Sequence, residues 1–414
     1  MMFRIRCSVF FLLLLFISLP LIEVAGSATG SDFDLFLPID NDTETGWHLD
    51  RINAQTAWSI TQGSSDIVVA VLDCGIDFDH SELTHAQWIN DDEIPGNWID
   101  DDNNGYIDDL SGWNFVDDSS NNGPLENGNS HNNHGTFIAG LITAAKNNQG
   151  IVGIAPNIKL MDLTVWYDLS ADPGTEDEVW ATQTEIAQAI QYAVENGADV
   201  ISCSFTYKKR VFDKLSDAAF YDDMKDATKK DVVICGSAGN HNNSQKRYPA
   251  CFSFVIGVGA SDFFDQKASY SSYGSWIDLV GPAGDQDDNI DAHRLKSTHY
   301  GESYTFGCGT SYSAPLVAGV VALMKSVDVT ISFNKIRCIL QRTAIDLGSE
   351  GKDDYFGYGI VDAGAAVSRA ETGDRCILPS TVVTSILIAI FVGIPIIIVV
   401  VIVVIVKRVF RKKQ

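Results

Sequence analysis

The sequence predicts an α/β fold: a central, mostly parallel, twisted sheet flanked by helices on both faces, plus one C-terminal transmembrane helix. Three observations carry this expectation. Short Val/Ile-rich runs without polar alternation occur at residues 67–72, 199–203, 231–235 and 255–258, the pattern of strands buried on both faces of a parallel sheet. Helical patterns lie between them, as at 184–195, where Ile186, Ala189, Ile190 and Ala193 form one face and Asn196-Gly197 closes the end. Lastly, residues 382–406 carry no charge and only Gly393 and Pro395 to weaken a helix.

Taken in order, residues 1–26 read as a signal peptide. Arg4 and Arg6 precede a short apolar stretch at 9–19, and Ala25, Gly26 and Ala28 supply a small-residue exit. An uncleaved anchor is the alternative. Residues 27–46 form a short polar linker, and 47–371 contain no repeat or low-complexity tract, so they read as one domain. Residues 372–381 are a juxtamembrane linker. As a helix, 382–406 would span roughly 37 Å, enough to cross a bilayer with some tilt. The basic tail 407–414, with Lys407, Arg408, Arg411, Lys412 and Lys413, orients that helix with its C-terminus in the cytosol. The chain is therefore expected in the secretory pathway or at the cell surface, as a single-pass type I membrane protein.

The 54 acidic residues outnumber 29 basic ones, for a formal net charge of −25. The imbalance grows once the basic ends are set aside, so nucleic acid and anionic lipid surfaces are excluded as partners of the central domain. Of eight cysteines, Cys7 lies in the signal peptide. An odd number then enters an oxidising compartment, which leaves at least one thiol free or paired elsewhere. The sequons Asn41-Asp42-Thr43 and Asn242-Asn243-Ser244 are acceptors for glycans.

In open α/β sheets, ligands gather beyond the carboxyl ends of the strands. Three strand ends here run into polar chemistry: Leu72 into Asp73, Ile201 into Ser202 and Ser204, and Cys235 into Gly236-Ser237-Ala238-Gly239-Asn240. Nucleophilic amide hydrolysis needs a nucleophile, a base, an orienting acid and an oxyanion donor. Ser311 stands in Gly309-Thr310-Ser311 before an apolar helix at 316–325, and His134 opens another in His134-Gly135-Thr136. Asp73 and Asn240 follow strands. Singly, each has a plainer reading as a helix cap, a surface histidine or a turn residue. Together, in the order Asp, His, Asn, Ser, they describe one site.

These segments resemble the subtilisin (subtilase) family, and the similarity runs from Trp47 to about Val367. It includes Trp47-His48-Leu49-Asp50, Gly153-Ile154-Ala155-Pro156, Gly197-Ala198-Asp199-Val200 and Tyr270-Ser271-Ser272-Tyr273-Gly274. The resemblance implies a serine endopeptidase acting through an acyl-enzyme. Ser311 would be the nucleophile, His134 the base and Asp73 its orienting acid, with Asn240 and the Ser311 amide as oxyanion donors. Phe137 stands where the family has a second histidine and Tyr312 where it has methionine; neither touches the proton path. Many relatives carry a long folding segment before the catalytic domain, for which 27–46 leave little room.

The resemblance also makes Ser204-Phe205-Thr206 and Ser237-Ala238-Gly239 the walls of the primary specificity pocket. Arg247, before Tyr248-Pro249, falls near its floor, which favours an acidic or small side chain; a surface arginine is the plain alternative. Residues 100–109 place oxygen donors at alternate positions with Gly105 sixth, as in the first half of a calcium loop, although the twelfth position is Ser111. Calcium is therefore expected on Asp100, Asp102, Asn104 and Asp108, against a merely acidic surface loop. A second, family-type structural calcium site is expected at Glu82 and Asn147. The expected partners are protein or peptide substrates and the membrane, with no nucleic acid, and the expected state is a monomer. Two other readings compete: a membrane-bound receptor or adhesin on the same fold without turnover, and a calcium-binding adhesion module. The second explains the acidic loop but not the triad.

Overall fold

The computed structural model describes residues 46–125, 130–168, 178–208, 219–287, 290–373 and 376. The expected signal peptide, transmembrane segment, basic tail and Asn41 sequon lie outside them. Among the described residues, no helix is long and apolar enough to cross a membrane.

In chain order the elements are α1 (Trp47–Arg51), α2 (Ala54–Trp58), β1 (Val68–Asp73), β2 (Gly112–Asn114), α3 (His134–Thr143), β3 (Lys159–Thr164), β4 (Trp166–Asp168), β5 (Glu178–Trp180), α4 (Gln183–Glu195), β6 (Val200–Cys203), β7 (Tyr207–Lys208), α5 (Tyr221–Lys229), β8 (Val233–Ser237), β9 (Arg247–Tyr248), β10 (Ile256–Ser261), β11 (Leu279–Pro282), β12 (Leu295–His299), β13 (Ser303–Gly307), α6 (Thr310–Val327), α7 (Phe333–Thr343) and α8 (Ala363–Glu371). Seven strands form one sheet in the order β11-β10-β8-β6-β1-β3-β2, and every pairing within it is parallel.

The sheet is buried on both faces because β1 is apolar at every position before Asp73. Val69 and Val71 pack with α3, α6 and α8 on one side, while Val68, Ala70 and Leu72 pack with α4 and α5 on the other. Burial of side chains of this size contributes about 1.5–3 kcal/mol each. Helix α4 begins with a full capping box between Thr182 and Glu185, which satisfies two otherwise orphaned amides.

Four of the seven strands coincide with the apolar runs read from the sequence. Strand β3 does not, because Asp162 sits fully buried within it and interrupts the run. Next to β1 the order of strand addition reverses: β3 and β2 lie on one side, and β6, β8, β10 and β11 follow in sequence on the other. That reversal opens a crevice at the carboxyl ends of β1 and β6.

A disulfide joins Cys338 in α7 to Cys376 beyond α8. Cys74, Cys203 and Cys235 are buried thiols outside that disulfide, and burial pushes them up, which keeps them from acting as thiolates.

Candidate active site

Asp73 is the last residue of β1 and its side chain is 1% exposed. His134 is the first residue of α3, and its Nδ1 donates to Asp73 Oδ1 at 2.9 Å and lies 3.0 Å from Oδ2. That bond fixes the tautomer and leaves Nε2 as the acceptor. A second donor, the Cys74 amide, holds Asp73 Oδ1 at 2.9 Å. The approach of α3 to β1 depends on Gly135: a β-carbon there would lie 2.4 Å from the Gly75 carbonyl oxygen.

Ser311 lies in the first turn of α6, where backbone amides have no intrahelical acceptor. Its hydroxyl donates to the Ser204 carbonyl at 3.1 Å, and the Ser204 hydroxyl donates back to the Ser311 carbonyl at 2.8 Å. That carbonyl is open to Ser204 because its usual helical partner is Pro315, which has no N–H. One proline thus ties the serine-bearing turn to the end of β6.

Asn240 follows β8 and is oriented through Thr310. Its Oδ1 accepts from the Thr310 amide at 2.9 Å and the Thr310 hydroxyl at 2.8 Å. With the oxygen occupied, Nδ2 faces the other way, 3.4 Å from where a β-carbon on Gly309 would lie. The amide is therefore presented as a donor beside the Ser311 turn.

Phe137 and Tyr312, the two departures from the family pattern, meet. Their rings stack at 4.2 Å, and Tyr312 lies 5.4 Å from the His134 ring. Burial, reinforced by the charge of Asp73, pushes the Tyr312 phenol up, so it stays neutral. Trp166 stands 5.8 Å from the imidazole. Behind the pair, in register with Val71 of β1, lies Asp162. Burial pushes its carboxyl well up, against the pull of the Ile76 amide and with help from the charge of Asp73.

The pocket residues gather here as well. Ser204 and Phe205 follow β6, Ser237 ends β8, and the Gly239 amide donates to Thr310 Oγ1 at 2.9 Å. Arg247, in β9, is only 1% exposed, which removes the surface reading.

The acidic loop needs a correction. Glu93, Asp100 and Asp102 each place a carboxylate oxygen within 4.8 Å of the others, a spread that one hard cation with bonds of about 2.4 Å can bridge. Asp108 is not among them; its oxygens accept the amides of Gly96, Asn97 and Trp98, as those of Glu93 and Asp100 accept amides within the loop. Asn104 turns its amide nitrogen toward Asp102 and Asp109. Glu93 was missed because it lies upstream of the loop pattern. At the second expected site, Asn147 also presents nitrogen, donating to Glu82 at 3.1 Å, while the Tyr304 hydroxyl donates at 2.8 Å. Both Glu82 oxygens thus accept from neighbouring side chains, and among the described residues no second carboxylate, histidine or cysteine groups with Glu82 as Asp100 and Asp102 do with Glu93.

The Subtilase family profile matches residues 64–359. The chain is 33% identical to a thermophilic serine proteinase of Bacillus sp. (strain AK1), over 75% of this chain and 64% of that protein. It is 31% identical to thermitase of Thermoactinomyces vulgaris, over 77% of this chain and 94% of thermitase. A protease structure from Pseudoalteromonas arctica superposes with a TM-score of 0.62 at 25% identity, covering 80% of this chain and 99% of that one.

Proposed function

Because the chain belongs to the subtilase family of serine endopeptidases, we propose that it hydrolyses peptide bonds through Asp73, His134 and Ser311, with Asn240 as an oxyanion donor. The observation that carries this reading is the bond from His134 Nδ1 to the buried Asp73, which leaves Nε2 bare as a base.

In the resting chain the Ser311 hydroxyl points to Ser204. The hydroxyl must leave that acceptor for His134 Nε2, and catalytic contacts of this kind tighten when substrate arrives. Ser311 Oγ then attacks the scissile carbonyl while His134 Nε2 takes its proton, and Asp73 stabilises the imidazolium. The negative charge that develops on the carbonyl oxygen meets Asn240 Nδ2 and the Ser311 amide. His134 returns the proton to the leaving amine, and water releases the acyl group by the same steps in reverse.

Calcium on Glu93, Asp100 and Asp102 is part of the proposal and would stabilise the fold through these carboxylates. So are entry to the secretory pathway and anchorage through residues 382–406, which rest on the sequence pattern alone. The direct test is labelling by an organophosphonate probe. Labelling of the full chain, abolished in Ser311→Ala, supports a hydrolytic serine; an unlabelled chain, or equal labelling of the variant, contradicts it.

A further inference from the structure

Arg247 carries a buried guanidinium. The residue is 1% exposed and the largest of the fully buried side chains. Among the described residues it takes part in no ion pair, and its Nε has no hydrogen-bond partner. Folded proteins rarely leave a buried charge in this state, since burial without a partner is costly. Scarcity of carboxylates is not the reason, because acidic residues outnumber basic ones 54 to 29. Burial pushes the Arg247 guanidinium down from its ordinary value, but arginine begins so high that it keeps its charge at neutral pH.

The position of Arg247 indicates what completes it. A β-carbon at Gly239 would meet Arg247 Cγ and Thr206 Oγ1, each at 3.4 Å, so the stem of Arg247 packs beside the Thr206 and Gly239 segments. Gly239 is hydrogen-bonded to Thr310, the neighbour of Ser311, and Ser204 is bonded to Ser311 in both directions. The Arg247 side chain therefore runs beside the two segments that flank the nucleophile.

We infer that this pocket takes a carboxylate side chain, glutamate or aspartate, from the residue whose carbonyl Ser311 attacks, with Arg247 as the group that recognises it. The inference rests on the peptidase reading above. The planar guanidinium can meet a carboxylate with two parallel hydrogen bonds, whereas the uncharged amides of glutamine and asparagine can offer only one acceptor. Arg247 is then a specificity residue that touches substrate rather than a structural one, and the resting chain carries half of an ion pair that substrate completes.

The test uses the full chain and fluorogenic peptides that differ only at this residue: Glu, Asp, Gln, Leu or Lys. A hydrogen bond to a charged partner corresponds to a preference of about 10- to 100-fold in kcat/KM for the acidic peptides over Gln at neutral pH. The preference should fade as pH drops through the peptide's own carboxyl range near about 4.3. Arg247→Gln should bring the Glu-to-Gln ratio toward parity, with Arg247→Lys between the two. A wild-type profile led by Leu or Lys, with Glu and Gln equal, would overturn the assignment whether or not the variants fold. Failure of the parent reading looks different: no peptide is cleaved and Ser311 takes no phosphonate.

Discussion

Substituting Gly135 by alanine tests how closely activity depends on the approach of α3 to β1. The added β-carbon would sit 2.4 Å from the Gly75 carbonyl oxygen, 3.2 Å from its carbonyl carbon and 3.3 Å from Asp73 Cβ. Ordinary contact begins near 3.4 Å, so the shortfall against the oxygen is about 1 Å. Backbone cannot yield as a flexible side chain does, so α3 must shift outward by a distance of that order. His134 is the first residue of α3 and moves with it, while Asp73 stays on the sheet. A 1 Å misplacement of catalytic groups costs roughly 100-fold in rate, and overpacking of this kind costs about 1–3 kcal/mol of stability. The assay is kcat/KM on one good peptide substrate, with Tm measured in parallel. A fall of about 100-fold with a Tm lowered by several degrees is expected. Activity within about twofold of wild type would refute the argument that Gly135 sets the Asp73–His134 distance.

Asn240→Ala should lower kcat by about 10²–10³-fold with little change in KM; that scale is carried over from subtilisin itself rather than worked from this geometry, and a loss below about threefold would remove Asn240 from its role. Asp162→Asn tests a buried carboxyl whose folded-state pKa is raised. The folded chain binds that proton more tightly than the unfolded chain, so wild-type stability falls as pH rises above the unfolded value near about 3.9. The variant keeps an oxygen for the Ile76 amide, and should match wild type near pH 4 and exceed it by about 1–3 kcal/mol at neutral pH; equal melts at both pH values would contradict this. Removing calcium with EGTA should lower Tm, with Glu93→Gln reproducing the shift; a melt indifferent to both counts against the carboxylate cluster as a cation site.

Much of the scaffold is legible in the sequence because a two-faced parallel sheet writes itself as unbroken apolar runs. Strands β1, β6, β8 and β10 are of this kind. Strand β3 is not, since Asp162 breaks its run, and β2 and β11 are too short to stand out. Asp73, His134, Asn240 and Ser311 are legible because each lies at the edge of a regular element in a glycine-rich setting. The acidic cluster was half legible: periodicity finds Asp100 and Asp102 within the loop but not Glu93, which lies upstream of it and joins them only in the fold. Burial of Arg247 was legible only through the family resemblance, which put it near a pocket floor, and not from its own residue type. A single arginine in a loop reads as solvated, and only the pairing of β7 with β9 and the packing against Gly239 place it inside.

The central claim is that Ser311 forms a covalent acyl intermediate assisted by His134. Mass spectrometry of the full chain, quenched in acid during turnover of a slowly deacylating ester, tests it most directly. One added acyl group is expected, mapped to Ser311 and absent in both Ser311→Ala and His134→Ala. Turnover with no acyl group on Ser311, or acylation that persists in Ser311→Ala, would contradict it.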